Sequence, residues 1–177
     1  MSLLNRFPKR EQVIPVYAVG VTILYFWALL NAIRDLLSNW SLYLSVAEIL
    51  GLFSYILAGT FLESLVLIFS LLFVSFILPQ KLITDKFVVR GSILTITFLG
   101  SIIYLYTLTL SSGMLENIDR WGIFFVSFTF VLMLLGELSR FVSKVVESLA
   151  DRCIIFLYFY LPLSFVSMVF IFVRNVS

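Results

Sequence analysis

The residues best suited to chemistry in this sequence are two glutamates, Glu48 and Glu63, which interrupt an otherwise apolar run from Leu42 to Leu78. No lysine or arginine occurs between Arg34 and Lys81. An ionisable residue inside a long apolar segment is costly, and it is therefore a candidate functional residue. The candidate polar site on this run consists of four side chains: Glu63, Glu48, Tyr55 and Ser70.

Helical periodicity places these polar side chains in one stripe. At about 100° per residue, they fall within an arc of about 80° of a continuous helix. Small residues beside and within the stripe would let a second helix approach closely. The candidate helix-packing residues are Gly51, Ala58 and Gly59. We therefore expect the stripe to face the other helices of the protein and not lipid.

The rest of the chain offers little material for catalysis. It contains no histidine and a single cysteine, Cys153. A structural zinc site takes four Cys or His ligands and a redox pair takes two thiols, so neither kind of site is available. We find no Gly-rich phosphate loop and no nucleophile elbow. The sequence therefore predicts no catalytic residue, no metal site and no cofactor, and Cys153 is interpreted as a small hydrophobic residue.

Composition indicates the class of protein. The chain is 62% hydrophobic and 12% charged, with a mean hydropathy of +1.11. Soluble domains average about 45–50% apolar and about 25% charged residues. These values predict an all-α, polytopic membrane helical bundle that forms a single transmembrane domain over residues 1–177. The net charge of +2 is small and forms no basic stripe, so nucleic acid is not an expected partner.

Apolar segments predict about five transmembrane helices. The second segment is too long for one crossing, because 37 residues of helix reach about 55 Å against a hydrocarbon core of about 30 Å. Its first part, 42–54, is interfacial, re-entrant or part of one long helix that projects outward. The predicted helices are 13–33, 42–78 (long or broken), 91–110, 121–137 and 153–173.

The distribution of basic residues predicts the topology. Five crossings with a cytoplasmic N-terminus place nine basic residues inside and three outside, as the positive-inside rule requires. Splitting the long segment at Ala58 and Gly59 would give six crossings and six basic residues on each side, which removes the signal. In the five-crossing topology the C-terminus is outside. The nine inner residues are Arg6, Lys9, Arg10, Lys81, Lys86, Arg90, Arg140, Lys144 and Arg152.

A cytoplasmic amphipathic helix is predicted at 138–151. One face carries apolar side chains, and Arg140, Lys144, Glu147 and Asp151 mark the other. This segment either lies on the inner membrane surface or extends the fourth helix into the cytoplasm, where it docks a partner. The apolar face consists of Leu138, Phe141, Val142, Val145 and Leu149.

The function favoured by these observations is that of a non-enzymatic accessory, scaffold or self-associating subunit of a cell-membrane complex. The expected partners are the lipid bilayer and either other membrane subunits or further copies of the chain. The alternative is a small channel or transporter that moves protons or cations past Glu63 and the third-helix hydroxyls between Ser92 and Ser112. A membrane-embedded lipid enzyme is a third, less favoured interpretation. Glu63 itself is a structural hydrogen-bonding residue, part of a pathway or a contact with a partner subunit.

Overall fold

The computed structural model describes residues 9–77, 86–112 and 118–176, and within these ranges the chain is helical and contains no strand. Three predicted features lie outside the described residues: the end of the second element at Leu78 and the basic residues Arg6 and Lys81. The five long helices are α1 (Arg10–Asp35), α2 (Val46–Ile77), α3 (Phe87–Ser112), α4 (Ile118–Leu138) and α5 (Arg140–Val176).

The connection between α1 and α2 breaks the long apolar run near its start. After α1 the chain makes a π-helical segment, Leu36–Trp40, and a short turn, Ser41–Tyr43. Leu44 then adopts an extended conformation, and α2 begins at Val46 and runs without interruption to Ile77. Residues 46–54 therefore belong to one long helix. Its 32 residues give a length of about 48 Å.

Neighbouring helices alternate in direction. Val16 of α1 lies against Gly91 of α3, and Gly20 of α1 lies against Thr95 of α3. The contacts follow the same order along both helices, so α1 and α3 are parallel. The ten-residue connection between α1 and α2 is too short to return along a long helix. It therefore makes α1 and α2 antiparallel.

The last two helices continue the alternation. Trp121 at the start of α4 contacts Tyr104 near the end of α3, whereas Gly136 at the end of α4 lies against Val89 at the start of α3. At the C-terminus, Arg174 of α5 lies against Gly51 near the start of α2. The end of α5 therefore lies at the same end of the bundle as the start of α2.

Helix α1 is the centre of the bundle, because it packs against α2, α3 and α5. Its buried side chains are mostly small or β-branched, and they allow three helices to approach it. One large side chain, Tyr25, is fully buried and stacks on Tyr160 of α5 with a ring-centroid distance of 4.6 Å. The other buried side chains of this segment include Val16, Ala18, Val19 and Val21.

The closest approach to α1 is at Gly20. A Cβ atom added there would collide with a methyl group of Leu67 in α2 and would lie 3.2 Å from the Thr95 Cγ2 atom of α3. Three helices therefore meet where α1 has no side chain, and glycine is required by space and not by backbone conformation.

Helix α5 joins two segments that the sequence analysis separated. From Arg140 onward, the amphipathic segment and the fifth predicted helix, 153–173, form one helix of 37 residues, whereas Leu138 is the last residue of α4. Pro162 lies inside the long helix without ending it. The single residue Ser139 separates this helix from α4. The segment is therefore the start of the last helix and not an extension of the fourth.

The start of α5 packs against the bundle through small side chains and not through its apolar row. Small side chains at Ser143, Ala150 and Cys153 are buried, because they permit a close approach. The predicted apolar row is left outside, with three large side chains exposed on one side of the helix: Phe141, Val145 and Leu149.

Four helical segments of the described residues are long and apolar enough to cross a membrane. They are Arg10–Ser38, Val46–Val74, Phe87–Thr107 and Arg140–Val176. Helix α4 carries a shorter apolar segment, Arg120–Gly136.

The close approach at Gly20 predicts a specific loss of stability. We expect Gly20→Ala to destabilise the fold by about 1–3 kcal/mol, because the added methyl group must displace Leu67. Gly100→Ala is the matched control, since a Cβ there meets no atom within 4 Å, and its higher helix propensity should leave stability unchanged or raise it by up to about 1 kcal/mol. Unfolding in mixed micelles titrated with dodecyl sulfate measures both. Equal effects of the two variants would contradict the packing described at Gly20.

Candidate functional site

The four residues of the predicted polar site all lie on the exposed side of α2. Glu48, Tyr55, Glu63 and Ser70 are exposed in the isolated chain. They follow one face but span 22 residues, or about 33 Å of helix, so they do not form a single cluster. The prediction that the whole stripe faces the bundle is wrong, because Glu63 and Ser70 point away from it and only Tyr55 reaches another helix, α5. Whether these residues act as a functional site stays a prediction.

A different row of α2 faces the bundle. The Tyr17 hydroxyl of α1 lies 3.0 Å from the Ser64 Oγ atom, and both side chains are buried. The Ser64 hydroxyl already donates a hydrogen bond to the Phe61 carbonyl at 2.7 Å. Tyr17 is therefore the donor in its hydrogen bond with Ser64. The buried residues of this inward row are Leu57, Thr60, Ser64 and Leu67.

Glu48 caps the start of α2. Its Oε2 atom accepts hydrogen bonds from the Ser45 backbone N–H at 2.8 Å and from the Ser45 hydroxyl at 2.7 Å, while the Glu48 N–H lies 3.4 Å from Ser45 Oγ. This is a capping box, the reciprocal pairing of Ser at the cap with Glu three residues later. The pattern Ser-Val-Ala-Glu was present in the sequence and was the signal for this role.

The start of α2 also contacts the end of α5. Tyr55 and Asn175 place their side chains 3.4 Å apart, within hydrogen-bonding distance. The Arg174 guanidinium lies over Gly51, where it occupies the space that a Cβ atom would fill. The Arg174 side chain of α5 therefore packs directly against the backbone of α2 at Gly51. Asn175 and Arg174 are partners that the apolar pattern of α5 did not indicate.

The remaining helix-packing candidates are less enclosed. Ala58 is half-buried. Gly59 has no atom within 4 Å of the position of an added Cβ. The surface of α2 around Gly59 is therefore open to another molecule.

Glu63 is the most unusual of these residues. It lies three positions from the midpoint of the apolar segment Val46–Val74 and is exposed. Within the described ranges its carboxyl group has neither a hydrogen bond nor an ion pair. In contrast, Arg34 and Asp35 at the end of α1 lie 3.6 Å apart as an ion pair. Glu63 is thus an acid in an apolar helical segment, and it has no partner among the described residues.

The buried hydroxyls of α3 lie inside the bundle, whereas Glu63 lies on the exposed side of α2. Ser92, Thr95 and Thr97 are buried, and Thr95 contacts α1 near Gly20. Thr95 and Thr97 donate to carbonyl groups one turn back in their own helix, which satisfies them locally. Helix α2 turns Ser64, and not Glu63, toward α1. The structure therefore does not bring Glu63 together with these hydroxyls.

A second tyrosine–serine pair joins α1 to α5. The Tyr25 hydroxyl lies 2.5 Å from Ser164 Oγ, and Ser164 donates to the Tyr160 carbonyl at 2.9 Å. Tyr25 is therefore the donor, as Tyr17 is in its pair. These side chains were missed by the sequence analysis, although a tyrosine within an apolar helix is a signal for an interhelical hydrogen bond.

Within the described part of the chain, no group of three or more His, Cys, Asp or Glu residues is placed to hold a metal ion. Cys153 of α5 is a buried free thiol that packs in the hydrophobic core of the bundle.

No family model matches the chain, and neither a curated protein nor a solved structure shows significant similarity to it.

The capping box predicts that the start of α2 depends on Ser45. We expect Ser45→Ala to destabilise the protein by about 0.5–2 kcal/mol, because it removes the acceptor for a free N–H group of the first turn. Ser54→Ala is the control, since the Ser54 hydroxyl only donates to Leu50 of the same helix. Hydrogen exchange of the first turn of α2 should increase in the first variant alone. Unchanged exchange in Ser45→Ala would contradict the capping role.

The buried tyrosine predicts a second loss. We expect Tyr25→Phe to destabilise the bundle by about 0.6 kcal/mol and at most about 1.7 kcal/mol, the range of interhelical hydrogen bonds in membrane proteins. Ser164 keeps its bond to Tyr160 in this variant. Tyr158→Phe is the control, because Tyr158 is exposed on the same helix that Tyr25 contacts. A double variant with Ser164→Ala should lose less than the sum of the two single losses; strict additivity would argue against the bond.

Proposed function

We propose that this chain is a multi-pass integral membrane protein in which all five long helices cross the bilayer. Four apolar segments of sufficient length and the shorter segment of α4 support this proposal. The alternating helix directions also support it, because they place the start of α1, the start of α3 and the end of α4 at one end of the bundle. That end carries Lys9, Arg10, Lys86 and Arg90 and is assigned to the cytoplasm by the positive-inside rule. The C-terminus is then outside the cell membrane.

Within that membrane the chain acts as a non-enzymatic accessory, scaffold or self-associating subunit. The observation that carries this proposal is the outward position of Glu63 near the middle of α2. A carboxyl group at the centre of a bilayer costs about 2.5–3.5 kcal/mol even on the most lenient insertion scales. Contact with another protein helix removes that cost, because the partner supplies a hydrogen bond and excludes lipid.

The open surface at Gly59 supports the same function. It lies one helical turn from Glu63, and no atom of the described residues lies within 4 Å of the position of an added Cβ. A glycine at this place lets a partner backbone approach closely enough to reach the carboxyl group of Glu63. Association through α2 therefore uses both unusual residues of this surface.

The alternative is a small channel or transporter that moves protons or cations past Glu63. Its only support is a titratable group at the depth where transporters hold their coupling ions. Glu63 is separated from the buried hydroxyls of α3. A pathway through the bundle would therefore have no continuous polar lining between these groups. A membrane-embedded lipid enzyme has less support still, since no clustered acids accompany Glu63 among the described residues.

The association proposal predicts a specific effect of Glu63. We expect the wild-type chain, extracted from its native membrane in mild detergent, to migrate as a complex that Glu63→Leu dissociates, because leucine cannot supply the interhelical hydrogen bond. Glu147→Gln on α5 is the control, since this carboxylate lies in the amphipathic segment. Native mass spectrometry gives the composition of each complex.

Flux measurements separate the two functions. Glu63→Gln keeps a hydrogen-bonding group, so association should persist and vesicles containing either form should show the same proton and cation permeability. If Glu63→Gln abolished a flux that the wild-type protein supports, the channel interpretation would replace the proposed one. A monomeric wild-type chain in native membranes would also contradict the proposal.

A further inference from the structure

The exposed side of α2 carries a regular row of residues. Gly59, Glu63, Val66, Ser70 and Phe73 are separated by 4, 3, 4 and 3 positions. This is the heptad spacing with which two helices pack side by side along a left-handed crossing. Val66 is 65% exposed and no atom lies near the Cβ position of Gly59. We call these five residues the outward row.

The outward row has the same character as the row that already packs in this molecule. The inward row, Leu57, Thr60, Ser64 and Leu67, has a spacing of 3, 4 and 3 and combines two large apolar residues with two small polar ones. It packs against α1 through the bond from Tyr17 and the contact of Leu67 with Gly20. The outward row likewise combines large apolar side chains with small or polar ones, yet no helix of the described ranges packs against Val66 or Phe73, which are both 65% exposed.

We propose that the outward row is the contact between two copies of this chain, with Glu63 of one copy hydrogen-bonded to Glu63 of the other. This inference rests on the proposed membrane function, since it requires both copies to lie in one bilayer.

Membrane topology favours a second copy over a different partner. All copies insert in the same direction, so two α2 helices that meet are parallel and equal residue numbers lie at the same depth. A two-fold axis along the membrane normal then places Gly59 opposite Gly59 and Glu63 opposite Glu63. A different protein would have to provide a matching polar group at this depth, whereas a second copy provides one by symmetry.

The chemistry of the carboxyl group is self-complementary. A protonated carboxyl group carries one O–H donor and retains acceptor lone pairs. When at least one of the two Glu63 side chains is protonated, it donates to a carboxyl oxygen of the other. No lysine or arginine lies between Arg34 and Lys81, so α2 itself carries no cation that would form an ion pair instead. Gly59 on both helices allows the backbones to come close enough for this bond.

Cysteine cross-linking tests the symmetry directly. In a Cys153→Ala background, we expect Val66→Cys to form a disulfide-linked dimer when vesicles at low protein-to-lipid ratio are oxidised with copper phenanthroline. A disulfide between equal positions forms only if the residue meets its own copy. Val126→Cys is the matched control, because Val126 is 72% exposed but lies on α4. It should remain monomeric.

Energy transfer between labelled copies in vesicles measures the strength of the contact. We expect Glu63→Leu to raise the dimer dissociation constant about tenfold, as the loss of one interhelical hydrogen bond in lipid does. Glu63→Gln should stay within about threefold of the wild type, because its amide both donates and accepts. Gly59→Leu should abolish dimers by separating the backbones, although its side chain has room in the monomer.

The outcomes separate this inference from the proposed function. Absence of the Val66→Cys cross-link together with a monomeric wild-type chain in vesicles overturns the second-copy contact. If a Glu63-dependent complex with a different protein is then found in native membranes, the proposed function stands and only the identity of the partner is wrong. If no such complex is found, both fail. Equal cross-linking at Val66 and Val126 also overturns the inference, because it indicates random collision.

Discussion

The fold depends on the lack of a side chain at Gly20 of α1. At that level α1, α2 and α3 meet, and Leu67 and Thr95 occupy the space that any larger residue would take. Helices without a large hydrophobic driving force between them are held by close packing and by interhelical hydrogen bonds. Here both occur within two turns of each other, since Tyr17 bonds to Ser64 and Tyr25 bonds to Ser164 around the same glycine. Helices α2, α3 and α5 are therefore all positioned by contacts with α1 at Gly20, Tyr17 and Tyr25.

That arrangement determines which side of α2 remains available. Because Ser64 accepts a hydrogen bond from Tyr17, the row that contains Glu63 points away from α1. The polarity of the two rows is similar, so the choice between them is made by shape and by a buried bond, and the acid is excluded from the interior. An ionisable group that a bundle leaves outside restricts what can surround the bundle.

Sequence reasoning predicted the helical class and the long apolar elements, because composition and run length are local properties. It did not predict the orientation of α2, since that depends on the pairing of Tyr17 with Ser64, 47 positions away. Periodicity was ambiguous because α2 is apolar nearly all round and has two rows of small and polar residues. The role of Glu48 was within reach, as Ser45 stands three positions before it. The continuity of α5 could not be predicted, because the charged residues in 140–152 indicated a separate segment. In the structure, small buried side chains let this segment pack on the bundle as part of the same helix.

The continuous helix α5 connects distant parts of the bundle. Its 37 residues reach about 55 Å, so a single element extends from the residue after α4 to the start of α2. It is held near its middle by the stacked rings of Tyr25 and Tyr160. Its first turns carry the exposed residues Phe141 and Val145, while Arg174 at its far end rests on Gly51 of α2. One helix therefore links the exposed apolar row at one end of the bundle to the start of α2 at the other end, and its contact with α1 lies between them.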